Sequence, residues 1–247
     1  MNIYKITKFL NKELKVKYIE DSSRNGTQVK ACKDIRKVGF AVDASLSTFE
    51  KAKKSNVDLL IVHHGLFWKG IPGNRELLKK RINFLRKNKI SLYASHLPLD
   101  LHKQYGNNIQ LCNILGLNNI KLFGKYHGIN IGYSGSIKPT SITSIIRKLN
   151  IKLSTKCKNI LFGKKTIKSI AIVSGGGSCS FDESLKFDLF ITGEAPHHLY
   201  NETRDQKHNL IIAGHYATET VGVKALQQLI QKEFKLKTIF IDNPTNM

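Results

Sequence analysis

The sequence predicts an α/β fold of two similar α/β lobes. Two observations carry that prediction. Short apolar runs ending in small residues alternate with longer amphipathic segments along the whole chain, the pattern of strands and helices around a largely buried sheet. The two halves also echo one another. "VDLLIVHHG" at 57–65 parallels "FDLFITGEA" at 187–195, and "LYASHLPLD" at 92–100 lies over "IIAGHYATE" at 211–219, so His96 matches His215 and Asp100 matches Glu219. An internal duplication explains both matches. The expected lobes are residues 1–125 and 126–247, packed closely as one unit.

The elements follow from periodicity. Apolar positions 3, 6, 9, 10 and 14 have helical spacing, and "KVGFAVDAS" reads as a strand ending in a small-residue turn. "LSTFEKAKKSN" is helical, "VDLLIVHH" a buried strand, "ELLKKRINFLRKN" a helix and "ISLYASH" another strand. After "GNNIQLCNILGL" a second series begins: strand "GINIGYSGSI", helix "SITSIIRKLN", strand "KSIAIV" with a glycine-rich turn, and strand "FDLFITGE". It closes with strand "NLIIAGH", helix "YATETVGVKALQQLIQKEF" and strand "KTIFI". No low-complexity linker separates the halves.

Composition excludes several classes. A chain of 247 residues, 41% of them hydrophobic, can bury one large core or two small ones. The opening "MNIYKITKFLNKELKVKYIE" mixes charge through its apolar positions, unlike a signal peptide, and no window approaches the roughly 18 apolar residues of a membrane span. A cytoplasmic protein with no membrane partner is expected. Cys32, Cys112, Cys157 and Cys179 are far apart and form no C-x-x-C pair, so they are expected to be reduced and mostly buried. The formal charge of +22 invites a nucleic-acid partner. Yet the lysines lie in short scattered runs and outnumber arginine heavily, as a lysine-biased composition alone produces, so the favoured reading is a solvated surface.

The chemistry concentrates where strands end. In α/β sheets the carboxyl ends of strands feed loops that converge on one crevice, the usual place for ligands. His63 and His64 stand side by side at such an end, before Gly65, and desolvating two adjacent imidazoles without partners would be costly. A turn at Gly65 would let each histidine serve one of two neighbouring ions. His215 and Glu219, four residues apart across a strand end and a helix start, can face one point. Asp100 either joins them or caps the following turn, and His96 is expected to orient a ligand rather than bind an ion. Together these make a dinuclear metal site in the cleft between the lobes. Two divalent ions per subunit, roughly 3.5–4 Å apart, would activate water and polarise a substrate oxygen. Zinc, iron, manganese and nickel all suit such donors.

Other candidates carry plainer readings. His102, His127 and His208 are expected to be hydrogen-bonded core or rim residues. "SGGGS" at 174–178 lacks the Lys and Ser/Thr of a phosphate loop and reads as a tight turn. "GEAPHH" puts Glu194, His197 and His198 near the second crevice as substrate-contact candidates, with Pro196 fitting a helix first turn. Phe67 and Trp68 read as core.

"VHHGLFWKG", "SHLPLD" followed by "GNN", "GGG", "TGE" followed by "HH", and "GHYATE" followed by "GV" and "AL" together resemble the Nif-three-like dinuclear-metal proteins, also called GTP cyclohydrolase type-two homologues. The resemblance spans about residues 36–241. It implies metal ligation by His63, His64, Asp100, His215 and Glu219, with Asp100 and Glu219 bridging. It also implies a toroidal homohexamer whose metal centres face an internal cavity. The extra domain that some members insert between their halves has no room in "KLFGKYHGINIGY". Three functions compete: a metal-dependent hydrolase of a nucleotide or other small molecule, with GTP cyclohydrolase-like ring opening implied by the resemblance; a non-enzymatic metal-binding ring that contacts protein or nucleic acid; and a metal reservoir. The hydrolase is favoured.

Overall fold

The computed structural model describes residues 1–70 and 73–245. From the N-terminus, α1 (Ile3–Glu13) leads through β1 (Gly26–Val29) to β2 (Lys37–Asp43), α2 (Leu46–Lys54), β3 (Leu59–His64), α3 (Arg75–Lys87), β4 (Ser91–Ala94) and the one-turn α4 (Leu97–Asp100). Next come α5 (Asn107–Leu115), β5 (Asn118–Tyr126), β6 (Ile129–Ser141), α6 (Ile142–Leu153), β7 (Lys158–Leu161) and β8 (Thr166–Val173). The chain ends with α7 (Phe181–Ser184), β9 (Leu189–Thr192), α8 (Leu199–Asp205), β10 (Asn209–Ile212), α9 (His215–Phe234) and β11 (Lys237–Phe240). This is a mixed α/β protein with two sheets. None of the described helices is long and apolar enough to cross a membrane.

The chain forms two compact units. One holds Met1–Leu99 and Val223–Asn243, the other is built on Asp100–Gly222. That division differs from the expected break at 125/126, which would cut the β5–β6 hairpin where Tyr126 pairs with Ile129. The C-terminal strand also departs from the expectation, because β11 pairs in parallel with β2 of the first unit.

In the first unit the strand order is β1-β4-β3-β2-β11. β11, β2, β3 and β4 run parallel, with β1 antiparallel along the β4 edge. "LLIVHH" occupies the centre of this sheet, which explains its unbroken apolar run: a parallel strand covered on both faces has no polar side to show. Its side chains pack with Phe49 of α2, Leu85 of α3 and Leu92 of β4. The helices start on the caps that the sequence supplies. Ser45 Oγ accepts from Thr48 N at 3.2 Å, and Asn74 Oδ1 from Leu77 N at 3.0 Å.

In the second unit the order is β5-β6-β8-β9-β10-β7, with β8, β9 and β10 parallel and the other pairs antiparallel. Its core joins Leu111 and Leu115 of α5, Ile145 and Leu149 of α6, and Ile170, Ile191 and Ile211 of the parallel strands. The four cysteines are free; Cys112 and Cys157 are buried, Cys32 is half-buried and Cys179 exposed, so burial holds for two rather than most. Burial pushes the Cys112 thiol up to about 12 and that of Cys157 to about 11, which makes both inert.

His102 and His208 sit as expected, whereas His127 is exposed on the β5–β6 turn. His102 Nδ1 accepts from the backbone of Gln104 and Tyr105, and His127 packs edge-on against Tyr126. His208 is buried against Phe181, with Ser184 Oγ 3.4 Å from its Nε2. Desolvation lowers the His208 pKa, and the nearby Asp188 charge only partly opposes this.

Both the packing and the buried imidazole can be checked by unfolding. Leu60→Ala, in the middle of β3, should cost about 3 kcal/mol in urea unfolding; a loss under about 1 kcal/mol contradicts the packing described. For His208 the folded pKa lies below the unfolded value, so its contribution to stability is complete above about pH 6.5 and fades as pH falls through the folded pKa. His208→Gln should therefore flatten the fall in stability on the acid side of pH 6.5; an identical pH profile in both proteins contradicts this.

Candidate functional site

Three adjacent parallel strands of the first unit deliver their carboxyl ends to one place. Asp43 closes β2, His63 and His64 close β3, and Ser95 and His96 follow β4. The register pairs Asp43 with His64 directly. Each imidazole is then fixed by an oxygen on its Nδ1. His63 Nδ1 donates to the Ser95 carbonyl at 2.9 Å, His64 Nδ1 to Asp43 Oδ1 at 2.8 Å, and His96 Nδ1 to Asp21 Oδ1 at 2.9 Å. A carbonyl or carboxylate can only accept, so each Nδ1 carries a proton, and in the neutral ring the lone pair is then on Nε2. One ring nitrogen from each of the three lies within 4.8 Å of the others.

The local chain explains how neighbours on a strand share a site. His63 and His64 have ring centroids 4.6 Å apart, and His96 lies 5.1 Å and 5.6 Å from them. Gly65 serves here by its size and not as a left-handed turn. A Cβ at that position would sit 2.7 Å from Ala94 Cβ and collide with the Gln28 amide. Phe67 and Trp68, expected in the core, are half-buried. The Trp68 ring stands 4.9 Å from that of His96 and 5.9 Å from that of His64, and its indole N–H donates to the Gly65 carbonyl at 3.0 Å.

Asp21 is a site residue that the sequence reading missed. It is buried and accepts from His96 Nδ1, Asn25 Nδ2 and the backbone N–H groups of Ser23 and Leu97. Burial alone would raise its pKa; the bonds from His96, Asn25 and Ser23 outweigh it and hold the carboxyl below its ordinary value. No motif marks Asp21, because its link to His96 spans 75 residues.

The second unit repeats the arrangement with different donors. Here too three parallel strands deliver loops together: Ser174–Gly177 after β8, Gly193 and Glu194 after β9, and Ala213–His215 after β10. His215 opens α9, with Nδ1 3.1 Å from Glu194 Oε2 and Nε2 3.3 Å from Glu219 Oε1, one turn along the same helix. Glu194 is half-exposed at its side chain, whereas Glu219 is buried.

The glycine-rich turn makes the room for this pair. Gly175 has φ +60°, and a Cβ there would strike the Glu219 carboxylate and lie 3.1 Å from His215 Nε2. The turn is pinned by Gly175 N donating to Thr218 Oγ1 at 3.0 Å, while the Gly175 carbonyl accepts from the N–H groups of Gly193 and Glu194 at 3.0 and 3.1 Å.

Asp100 is buried, and its Oδ1 accepts from Asn107 Nδ2 at 2.8 Å and Ser174 Oγ at 3.3 Å. Asn107 accepts in turn from Gly222 N at 2.9 Å, and Asn108 Oδ1 from Ser174 N at 2.7 Å. These two buried asparagines thus fix Asp100 and the glycine turn, a role invisible in the sequence. His197 and His198 stay exposed on the turn before α8, with His198 Nε2 3.9 Å from Glu202. They are absent from the close donor groups found among the described residues. Pro196 precedes that turn and stands outside the helix, contrary to its expected place in a first helical turn.

The whole chain, residues 1–247, matches the family model of Duf34/NIF3 (NGG1p interacting factor 3). The GTP cyclohydrolase 1 type 2 homolog of Pyrococcus horikoshii is 46% identical over 245 residues, covering 98% of both chains. The protein of the same name from Archaeoglobus fulgidus is 38% identical over 250 residues, covering both chains fully at 100%. Among solved structures, TTHA1606 from Thermus thermophilus superposes with a TM-score of 0.92 at 35% identity and 100% coverage of both chains. Reduced HcgD from Methanocaldococcus jannaschii gives 0.86 at 26% identity, with 98% of both chains covered.

Gly175→Ala tests the cradle. Gly116 also has a positive φ, +78°, but nothing lies within 4 Å of its Cβ position. Gly116→Ala should cost about 1 kcal/mol of strain, and Gly175→Ala a further 1–3 kcal/mol or so from overpacking. Equal losses in urea unfolding would contradict the close approach of Glu219 to the turn.

Proposed function

The chain belongs to the Duf34/NIF3 family, and from that premise we propose that it is a dinuclear divalent-metal protein that hydrolyses a nucleotide or another small molecule. The observation that carries the reading is the donor set. Three imidazoles in one unit donate Nδ1–H to oxygens, which in the neutral ring leaves the lone pair on Nε2, the orientation typical of metal-binding histidine. In the other unit a histidine and a buried carboxylate share a cradle that any Cβ at Gly175 would fill. These donors fit divalent zinc, iron, manganese or nickel, and the chemistry of the set does not choose among them.

We assign the residues that would hold the ions as His63, His64, Asp100, His215 and Glu219. On this reading the two strand-end groups contribute to one donor set. Their common plan supports an internal duplication: β2-β3-β4 and β8-β9-β10 are both parallel triplets, each with an antiparallel strand beside its last member. When bound, a pair of divalent ions supplies Lewis acidity and lowers the pKa of water for hydrolysis.

The protein's own groups do the rest. Asp43 and the Ser95 carbonyl hold the two adjacent imidazoles in one tautomer, and Glu194 does the same for His215. His96, locked by Asp21, is placed to hold a substrate oxygen or a proton at Nε2. The relatives' name, GTP cyclohydrolase 1 type 2 homolog, points to a purine nucleotide as one substrate class. The resemblance further supports a cytoplasmic homohexameric toroid with the centres facing its interior. His197 and His198 belong to this proposal only as exposed groups on a substrate's approach.

Elemental analysis of gently purified protein, before and after chelation, is the test, alongside turnover of a nucleotide panel. About two divalent ions per chain are expected, with turnover lost on chelation and restored by the ions. His64→Ala should remove at least one ion while the circular dichroism spectrum stays unchanged. Full metal content in a folded His64→Ala protein would refute the ligand assignment, and ions without turnover of any nucleotide would refute the nucleotide.

A further inference from the structure

Beside the histidines of the first unit lies a cavity of about 420 Å³, lined among others by Ile19, Arg24, Asn25, Phe67, Trp68 and Lys69. Its size falls in the range of roughly 300–1,000 Å³ seen for small-molecule sites. The cavity is built by two short segments tied together. Arg24 N donates to the Phe67 carbonyl at 2.9 Å, Lys69 N to the Ser22 carbonyl at 2.7 Å, and Ser23 bridges Trp68 between them. Such pinning keeps the aromatic wall in place.

Two walls of this cavity also belong to the histidine group. Trp68 lines the cavity and packs against His96 and His64. Asp21 lines it as well and holds His96 Nδ1. A ring resting on Trp68 is therefore one indole away from those imidazoles, and a substituent reaching round Trp68 arrives at them.

The chemistry of the wall defines what fits. Trp68 and Phe67 offer flat apolar faces, which favour a planar ring. Arg24 and Lys69 are exposed at the rim, and the Arg24 guanidinium lies over the Phe67 ring with its carbon 5.5 Å from the centroid. That places a planar cationic fork beside the stacking surface, the geometry that recognises carboxylate or phosphate. Of the two acids that line the cavity, Glu20 offsets one of the two cations. Asp21 is engaged by His96, Asn25, Ser23 and Leu97. We propose that this cavity binds a planar aromatic anion, its ring against Trp68 and its carboxylate or phosphate on Arg24 and Lys69. Its role as the seat of the non-reacting part of the substrate rests on the hydrolase reading above; the binding itself does not.

Trp68 is the single tryptophan of the chain, so its emission reports the cavity directly. The full-length protein, with and without chelation, is titrated with benzoate and adenosine 5′-monophosphate, and in parallel with benzyl alcohol, adenosine and inorganic phosphate. At least one aromatic anion should quench Trp68 saturably and bind at least about tenfold more tightly than its neutral counterpart and phosphate, a difference of about 1.4 kcal/mol. Quenching by benzoate alone assigns a carboxylate, by the nucleotide alone a phosphate, and by both the shared chemistry. Arg24→Ala with Lys69→Ala should weaken the anion about tenfold or more without changing the emission of the free protein. No saturable quenching, neutral compounds binding as tightly as anions, or an unchanged affinity in the double variant would each overturn the proposal. Ion content separates the two readings. Normal metal without anion binding removes this inference alone, and anion binding in a chain that holds no metal upholds it while removing the metal centre.

Discussion

The candidate site depends on one constraint: each imidazole at the strand ends is tied through Nδ1 to an oxygen that the fold puts there. Parallel pairing of β2 with β3 sets Asp43 opposite His64, and the turn after β4 brings the Ser95 carbonyl to His63. Slipping the β2–β3 pairing by one residue would turn Asp43 to the opposite face and break its bond to His64. The orientation of the nitrogens is thus a property of strand register, and the apolar packing of Leu60, Val62 and Leu92 that fixes the register is also what fixes the site.

The second unit meets a different difficulty, which is to bury carboxylates without leaving them unsupported. Burying a polar group is tolerable only when its hydrogen bonds are supplied. Asp100 receives them from Asn107 and Ser174, and the backbone beside it is held by Asn108 and Thr218. Glycine at 175 then lets the turn come close enough to share space with Glu219. Removing water from such a group strengthens every electrostatic interaction made with it.

Much of this was legible in the sequence. The strand "LLIVHH" announces its burial by an unbroken apolar run, and the paired histidines, the His-to-acid spacing at 215 and 219, and the isolated cysteines are all local signals. The α/β class follows from the same runs. What escaped has a physical reason. β1, β5 and β7 are sheet-edge strands, and β5 and β7 are largely exposed, so they show little apolar periodicity. The compact units depart from the expected halves because the C-terminal strand returns to β2, a pairing between segments about 200 residues apart that no local pattern encodes. Asp21, Asn107 and Asn108 act through long-range hydrogen bonds, and in the sequence they are ordinary loop and helix residues. The sequence suggests a turn at Gly65, but the glycine is needed for space against Ala94 and Gln28, which only the packed sheet reveals.

The most direct measurement of the central claim is the tautomeric state of His63 and His64 by long-range proton–nitrogen correlation NMR on chelated protein at neutral pH. Both rings should carry a proton on Nδ1 that is hydrogen-bonded to its oxygen. A ring protonated on Nε2 alone would contradict the account.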